Sequence, residues 1–206
     1  MMARKKRRRR PGRCRRLRLF ALIILVAIVF GHVLQDIGEH WFKADQKLSV
    51  GLDQKAAFIK KIAPYAQESA QKSHVFPSVV IAQACLESSF GQSQLAQDYG
   101  NLFGIKAAKT GSSQALPTQE FLNGEWETKT EHFATYPSWR AAVFAHGDLM
   151  QNGTAWNKDL YQPVVQAQSP TEATQALQNA GYATDPHYAE KLNELIVTYQ
   201  LTQYDQ

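Results

Sequence analysis

The spacing of apolar residues predicts a helical domain that begins at Asp53. Apolar side chains recur three or four positions apart from there to residue 73, as in an amphipathic helix, and Pro64 predicts a kink or a break within it. The next helix is apolar nearly all round, which is typical of a central, buried helix. We expect it to begin near Pro77, to run to about Phe90 and to stop at Gly91.

The period changes in the stretch "QALPTQEFLNGEWETKTEHFATY", which is rich in threonine and aromatic residues. The turn pair Asn123-Gly124 separates two runs of strand character, so we expect an antiparallel hairpin over 115–122 and 125–134. Residues 92–113 are expected to form short turns and loops. The fold class that follows is α+β, mainly helical, with one small hairpin lobe.

Helical patterns resume after the hairpin, in "PSWRAAVFAHGDLMQN". Residues 169–172 form a capping box with proline at the first helical position, and that helix should end before Gly181. Asp185-Pro186 should cap the last helix. The side chains of that helix that should face inward are Tyr188, Leu192, Leu195, Ile196 and Tyr199.

The charges are divided unevenly along the chain. Eleven of the 23 Lys and Arg residues lie within residues 4–18, whereas the remainder carries 12 basic and 18 acidic side chains. The net charge of +5 therefore describes a basic tail on an acidic domain. Since no basic face interleaved with aromatic residues follows the tail, we expect no nucleic acid partner.

An uncharged apolar run, residues 19–34, follows the basic tail. With its flanking residues it predicts one transmembrane signal anchor over 19–37, and the positive tail 1–18 should hold the N-terminus in the cytoplasm. A linker over 38–52 would then lead to an extracellular domain over 53–206. A cleaved secretory signal is the alternative, but no small-x-small cleavage pattern follows the run.

The cysteines and histidines predict neither a disulfide nor a metal site. Cys14 and Cys85 would lie on opposite sides of the membrane, and Cys85 falls within the apolar run of the central helix, where it should be a core residue. The six histidines are scattered, with no HExxH or CxxC motif, and His146 should be packed rather than catalytic. We expect no metal and no cofactor.

Glu87 ends the central apolar helix and is the first candidate for chemistry. Burial should raise the pKa of its carboxyl group, and a carboxylic acid that stays protonated is what a glycosidase needs to protonate a leaving oxygen. An ordinary surface glutamate at a helix end remains the alternative. A second carboxylate would come from the hairpin, which offers Glu120, Glu125, Glu127 and Glu131. Strand alternation places the last three on one face, which we expect to be solvated.

Five segments in order resemble a known family: "FPSVVIAQACLESSFGQSQLA", "NLFGIKA", "TQEFLNGEW", "HFATYPSWRAAVFAHGDLM" and "LQNAGYATDPHYAEKL". Together they are similar to the bacterial glucosaminidase domain of peptidoglycan hydrolases, over about residues 53–203. The resemblance implies a lysozyme-like fold with a β-lobe beside a glycan cleft. It also implies an endo-β-N-acetylglucosaminidase that hydrolyses the β-1,4 bond between N-acetylglucosamine and N-acetylmuramic acid.

The resemblance assigns roles to individual residues. It implies that Glu87 is the general acid, that Glu120 is the second carboxylate and that Tyr182 lies near the acid. The glycine that the family usually carries after its acid is Ser89 here. Whether Glu120 activates water or the substrate's acetamido group assists stays open. The implied substrate-binding positions are Asn101, Phe103, Gly104 and Tyr188.

Together these features predict a membrane-anchored, outward-facing hydrolase whose partner is the peptidoglycan glycan strand. A muramidase of the same fold is the first alternative. A non-catalytic glycan-binding domain is the second, against which the presence of both Glu87 and Glu120 speaks. An amidase that cuts the peptide stem is weaker, because no set of metal ligands is visible in the sequence.

Overall fold

The computed structural model describes residues 51–107, 112–122 and 125–206, excluding the side chains of 119–122 and of 126. The predicted basic tail, the anchor, nearly all of the linker and the Asn123-Gly124 turn lie outside these residues. Within the described ranges, no helix has the length and apolar character needed to cross a membrane.

The described chain is mainly helical, with one two-stranded antiparallel sheet. The helices are α1 (51–73), α2 (Pro77–Ser88), α3 (Gln94–Tyr99), α4 (Trp139–Asn152), α5 (Gln162–Val165), α6 (Pro170–Asn179) and α7 (Tyr188–Thr198), followed by a 3-10 helix (Leu201–Tyr204). The strands are β1 (Ser113–Leu122) and β2 (Glu125–Ala134). The predicted α+β class with a hairpin lobe is confirmed for the described residues.

Helix α2 is the centre of the core, as its apolar sequence predicts. Every residue from Pro77 to Cys85 is buried, and α6, α7 and the 3-10 helix pack against it. Cys85 is a buried core residue, and burial raises the pKa of its thiol to about 12. Helix α2 thus provides a rigid support for the residues at its C-terminal end.

The beginning of α2 is held by a residue near the end of the chain. Phe76 precedes the helix and supplies no side-chain cap. The Asp205 carboxylate takes that place, because it accepts hydrogen bonds from the Ser78 backbone N–H and hydroxyl, both at 2.7 Å. A carboxylate at this position accepts from a backbone N–H that has no partner within the helix. Its negative charge also interacts favourably with the positive end of the helix dipole.

Helix α1 is continuous from residue 51 to 73, so the predicted break at Pro64 is wrong. Pro64 is exposed, and the carbonyl that loses its intrahelical partner can therefore be hydrated without ending the helix. Helix α2 also ends earlier than predicted, because Ser89 and Phe90 adopt left-handed conformations with φ of 50° and 57°. Helix α3 was not predicted; the Ser93 side chain caps it by accepting from Ala96 N–H.

The hairpin has the predicted second strand, and its first strand begins two residues earlier than predicted. Its register runs from Ser113 opposite Ala134 to Leu122 opposite Glu125. The segment after α3 pairs with the base of β2, where Ala134 N–H donates to Ile105 O at 2.9 Å. Glu125 and Glu127 are exposed and Glu131 is partly buried, largely in line with the solvated face expected from the sequence.

Helix α6 follows its sequence signals closely, whereas α7 begins at Tyr188 after His187, which supplies no side-chain cap. Asp185 instead accepts from the His187 backbone N–H at 2.8 Å, so the predicted cap is only partly realised. Ser169 accepts from Glu172 N–H at 3.2 Å, and the Glu172 carboxylate accepts from Gln168 N–H at 2.8 Å, one residue before the position that a strict capping box uses. Helix α6 ends at Asn179, before Gly181 as predicted. Tyr188, Leu192 and Ile196 of α7 are buried, and Leu195 and Tyr199 are partly buried against the core.

Candidate functional site

Glu87 lies in the last turn of α2, where the helix leaves the core. Its carboxyl group is partly buried and accepts a hydrogen bond from the Tyr188 hydroxyl at 2.8 Å. The Tyr188 hydroxyl in turn accepts from Gln83 Nε2 at 3.1 Å. Helix α7 thus supplies a single donor to the acid, and Gln83, one turn earlier in α2, orients that donor.

The pKa of Glu87 is raised from 4.5 to about 7. Burial, which disfavours the charged form, is the main cause. The Tyr188 hydrogen bond favours the carboxylate and so lowers the pKa, whereas the negative charge of Asp185 raises it further. Glu87 can therefore hold a proton near neutral pH, which suits a general acid.

The chain after Glu87 turns sharply, and this fixes the end of the helix. Ser88 is buried, and its hydroxyl accepts a hydrogen bond from Gly91 N–H at 2.7 Å. Ser89, exposed in a left-handed conformation, occupies the position where the family resemblance places a glycine. Since a non-glycine residue takes this conformation at some cost, the turn persists because its hydrogen bonds and the packing of Phe90 hold it.

Glu87 lies in a cleft of about 560 Å³. One wall is the loop after α3, from Phe103 to Lys106, and the hairpin adds Thr118 and Phe133. The opposite side comes from the α4–α5 region and from the segment before α7. The residues that line the cleft from these two regions are Leu149, Thr154, Trp156, Tyr161 and residues 181–184.

Gly104 leaves one oxygen of Glu87 accessible. Its φ of +64° is a backbone conformation that residues with a side chain rarely adopt. A Cβ atom built on Gly104 would lie 4.0 Å from Glu87 Oε2. Tyr188 donates to Oε1, so Oε2, the oxygen beside Gly104, is the one without that hydrogen bond.

Stacked aromatic rings support the cleft from behind. Phe103 lies against His146 with ring centroids 4.3 Å apart, and Tyr182 lies against Tyr188 with centroids 5.8 Å apart. His146 is fully buried, and burial lowers its pKa to about 3. The prediction that His146 is packed rather than catalytic is therefore confirmed.

Tyr182 joins this cluster to the cleft surface. It lines the cleft, and its hydroxyl donates to the Phe103 carbonyl at 3.1 Å. Burial, and then the charge of Glu87, place the pKa of Tyr182 well above its usual range. Tyr182 thus stays protonated near neutral pH and acts as a hydrogen-bond donor, and it lines the same cleft as Glu87. Its part in the chemistry stays a prediction.

Three of the predicted substrate-binding residues are buried. Asn101 is 1% exposed, and its amide holds the loop by donating to Ile105 O and Ala134 O and accepting from Phe103 N–H and Ile105 N–H. The Phe103 ring packs on His146, and Tyr188 is 2% exposed beneath Glu87. These placements indicate that Asn101, Phe103 and Tyr188 shape the site, and their contact with a sugar stays a prediction.

Glu120 is placed by the register of the hairpin, opposite Glu127 and two residues from the cleft residue Thr118. Its role as the second carboxylate stays a prediction. Among the described residues, no group of three His, Cys, Asp or Glu side chains is arranged to hold a metal ion. The site therefore consists of one acid with a raised pKa, its tyrosine partner and an open cleft.

Trp156 is a cleft residue that sequence reasoning missed. It is 76% exposed and lines the cleft from the segment between α4 and α5. The signal was present in the sequence, because "NGTAWNKD" surrounds this tryptophan with glycine and polar residues and no apolar run buries it. A tryptophan in such a context is a better candidate for ligand contact than for the core.

Known proteins match most of this chain. The family profile of mannosyl-glycoprotein endo-beta-N-acetylglucosaminidase matches residues 63–201, which include all seven predicted site residues. Exo-glucosaminidase LytG of Bacillus subtilis (strain 168) is 40% identical over 155 residues, covering 75% of this chain and 55% of that protein. A probable N-acetylmuramidase of Lactococcus lactis subsp. lactis (strain IL1403) is 40% identical over 151 residues, covering 72% of this chain and 34% of that protein.

The fold has a counterpart among solved structures. The catalytic domain of the autolysin Auto from Listeria monocytogenes superposes with a TM-score of 0.65 at 38% identity, covering 74% of this chain and 88% of that one. The chain spans about half the length of the Bacillus relative and about a third of the Lactococcus relative.

Proposed function

The chain belongs to the mannosyl-glycoprotein endo-beta-N-acetylglucosaminidase family, and on this basis we propose that it hydrolyses the glycan backbone of peptidoglycan. The bond we assign is the β-1,4 linkage between N-acetylglucosamine and N-acetylmuramic acid. The observation that carries the proposal is the Glu87 carboxyl group, which has a pKa of about 7 and opens on a cleft beside the hairpin. An acid of this kind is the defining requirement for glycoside hydrolysis.

The first step is proton transfer from Glu87 to the glycosidic oxygen. Tyr188 donates to Oε1, so we assign the transferable proton to Oε2, the oxygen beside Gly104. As the C–O bond breaks, the leaving sugar takes the proton and Glu87 becomes a carboxylate. The Tyr188 hydrogen bond stabilises that carboxylate, so the same contact that limits the pKa rise assists the transfer.

The second step requires a group that meets the positive charge on the sugar and directs water. We assign this role to Glu120, which is two residues from the cleft residue Thr118 on β1, since residues two apart share a face of a strand. Glu120 would act on water directly, or the acetamido group of the substrate would assist. Proton NMR of the fresh product separates the two routes, because direct attack by water inverts the anomeric centre and acetamido assistance retains it.

Digestion of purified peptidoglycan tests the proposal. Glu87→Gln keeps the acceptor for Tyr188 but carries no transferable proton, so we expect at least a hundredfold loss of glycan cleavage. Glu194→Gln, on the exposed side of α7, is the matched control and should cleave like the wild type. Undiminished cleavage by Glu87→Gln would overturn the assignment of Glu87 as the acid, whereas no cleavage by the wild type would favour a non-catalytic glycan-binding domain.

The sign of the pKa shift predicts that Glu87→Gln does not lose activity by unfolding. The pKa of Glu87 is higher in the folded state than its ordinary value of 4.5, so ionisation reduces stability as the pH rises from about 4.5 through about 7. Glu87→Gln removes that ionisation. It should therefore be at least as stable as the wild type at pH 8, by thermal unfolding.

A muramidase is the second candidate, because the Lactococcus relative is named a probable N-acetylmuramidase. The two enzymes leave different sugars at the new reducing end. Borohydride reduction followed by mass spectrometry should give N-acetylglucosaminitol at the new ends. N-acetylmuramitol instead would assign the muramidase reaction to this fold.

We also propose that residues 19–37 tether the domain to the outer face of the cell membrane. The proposal is supported by the uncharged apolar run and by the eleven positive charges that precede it. Intact mass of the cell-associated protein tests it. The full-length mass of 23.2 kDa is expected, and loss of the first 40 residues would show a cleaved signal instead.

A further inference from the structure

Trp156 combines high exposure with a place on the cleft that holds Glu87. Single exposed apolar side chains are ordinary on protein surfaces, so its 76% exposure has no meaning by itself. Its position on the cleft wall distinguishes it from Val197, which is equally exposed on α7 and lies outside the cleft lining. Substrate bound at Glu87 would therefore extend past Trp156 and not past Val197.

The turn that carries Trp156 is held in one conformation. Thr154 N–H donates to Asn157 O at 2.9 Å, and Asn157 N–H donates to the Thr154 hydroxyl at 3.1 Å. Before it, Gly153 has φ of +63°, and a Cβ there would lie 2.4 Å from the carbonyl oxygens of Asn157 and Lys158. The backbone that carries the indole is thus held in a closed turn, so its ordering cost is met before any ligand arrives.

The surroundings of Trp156 favour an uncharged ligand with an apolar face. The cleft residues contributed by the same region are Leu149, Thr154 and Tyr161, none of which carries a charge at neutral pH. A pyranose ring fits this environment, because its C–H face packs on an aromatic ring while hydroxyl and acetamido groups at its edge reach threonine hydroxyls and water.

We propose that Trp156 is a stacking platform for a sugar ring of the glycan strand, next to the residues that undergo cleavage. The inference rests on the proposed function and adds a specificity-determining residue to it. Binding energy at this platform anchors the strand and positions the scissile bond at Glu87. Trp156 therefore sets the affinity for longer glycans, whereas Glu87 sets the rate of the chemical step.

The test uses full-length protein carrying Glu87→Gln, so that the strand binds without being cut. The probe is a peptide-free glycan strand of alternating N-acetylglucosamine and N-acetylmuramic acid, titrated by calorimetry. Adding Trp156→Ala should raise Kd about tenfold, whereas Trp156→Phe, which keeps an aromatic face, should raise it less. Adding Val197→Ala, the control of equal exposure, should leave Kd unchanged.

A steady-state comparison gives an independent readout. With Glu87 intact, Trp156→Ala should increase KM for long strands and change kcat less, and it should leave the thermal unfolding temperature unchanged because the indole packs little. A Kd for Trp156→Ala within twofold of the Glu87→Gln parent would overturn the platform while leaving the proposed function standing. If the Glu87→Gln parent itself binds no strand, the platform and the proposed function both fail.

Discussion

Two opposing influences set the protonation of Glu87. Burial at the end of α2 raises its pKa, and the hydroxyl of Tyr188 holds that rise in check by stabilising the carboxylate. A fully desolvated acid would hold its proton too tightly to give it to a leaving oxygen, whereas a solvated one would have lost it at neutral pH. The balance depends on Tyr188, which Gln83 orients from within the core.

Tyr188→Phe should shift the pH dependence of cleavage. Without the hydroxyl, the pKa of Glu87 rises further, so the acid stays protonated to higher pH and the alkaline limb of kcat/KM moves upward. We expect kcat to fall severalfold, because the carboxylate left after proton transfer loses the hydrogen bond from Tyr188. Rates measured from pH 5 to pH 9 on soluble glycan strands test both effects.

Tyr199→Phe is the matched control for that experiment, since Tyr199 lies in the same region but packs on Phe90 rather than on Glu87. It should leave the profile in place. An unchanged alkaline limb in Tyr188→Phe would contradict the coupling. Tyr188→Phe also leaves the buried Gln83 amide nitrogen without its hydrogen-bond acceptor. The free energy of unfolding of this variant should therefore fall by about 1–3 kcal/mol.

At the residue scale, the sequence could predict the acid but not the group that tunes it. Glu87 follows an apolar helix, and that pattern alone indicates a raised pKa. Tyr188 is predicted from the sequence to be a substrate-binding residue. Helical spacing shows that it faces inward, but it does not show which atom its hydroxyl contacts. The contact between Tyr188 and Glu87 joins positions 101 residues apart, and only the packing of α7 on α2 brings them together.

At the element scale, the hairpin contributes a wall to the cleft, which the helices do not form by themselves. Its base is fixed by pairing with the segment 105–107 and by the buried amide of Asn101. Residues 127–130 of its second strand are exposed, and the sequence places carboxylates on both strands near the turn. Glu120 and Glu127 are directly opposite each other in the register, which makes them a matched pair for mutation.

Glu120→Gln should reduce kcat tenfold or more, whereas Glu127→Gln, directly opposite on the same face, should reduce it clearly less. The physical reason is that only a group reaching the reacting sugar can stabilise its positive charge or direct water. Initial rates of reducing-end release measure both variants under one condition. Equal losses in the two variants would show a general effect of negative charge on the hairpin and would contradict a specific role for Glu120.

The elements themselves were largely predictable. The second strand and the central helix follow from alternation and from a continuous apolar run. The predicted break at Pro64 does not occur. The rule against proline inside a helix assumes that the carbonyl without a helical hydrogen bond is not hydrated, whereas Pro64 is exposed to solvent. Helix α3 has only six residues, too few for its periodicity to be detected in the sequence.

At the scale of the whole domain, the end of the chain secures the helix that carries the acid. Asp205 bonds the first turn of α2, and Gln67 Nε2 of α1 donates to the Tyr204 carbonyl at 3.1 Å. The family match ends at residue 201, so the Asp205 contact lies beyond it. Sequence patterns gave no indication of this tie, because the carboxylate and Ser78 are 127 residues apart.

Asp205→Ala should lower the free energy of unfolding by about 1–2 kcal/mol, because Ser78 N–H loses its cap and the helix dipole loses an opposing charge. Asp98→Ala, at an exposed position of α3, is the control and should change stability by less than about 0.5 kcal/mol. Urea unfolding of both variants provides the comparison. An Asp205→Ala variant as stable as the wild type would mean that water replaces the cap at no cost.

The most direct test of the account is a titration of Glu87 itself. Its carboxyl ¹³C resonance is identified by its absence from Glu87→Gln, and its pKa is compared with the apparent pKa on the alkaline limb of kcat/KM. We predict that both lie at about 7, with activity falling as Glu87 loses its proton. A carboxyl group that titrates near its ordinary pKa of 4.5, together with full activity above pH 8, would contradict the assignment of Glu87 as the general acid.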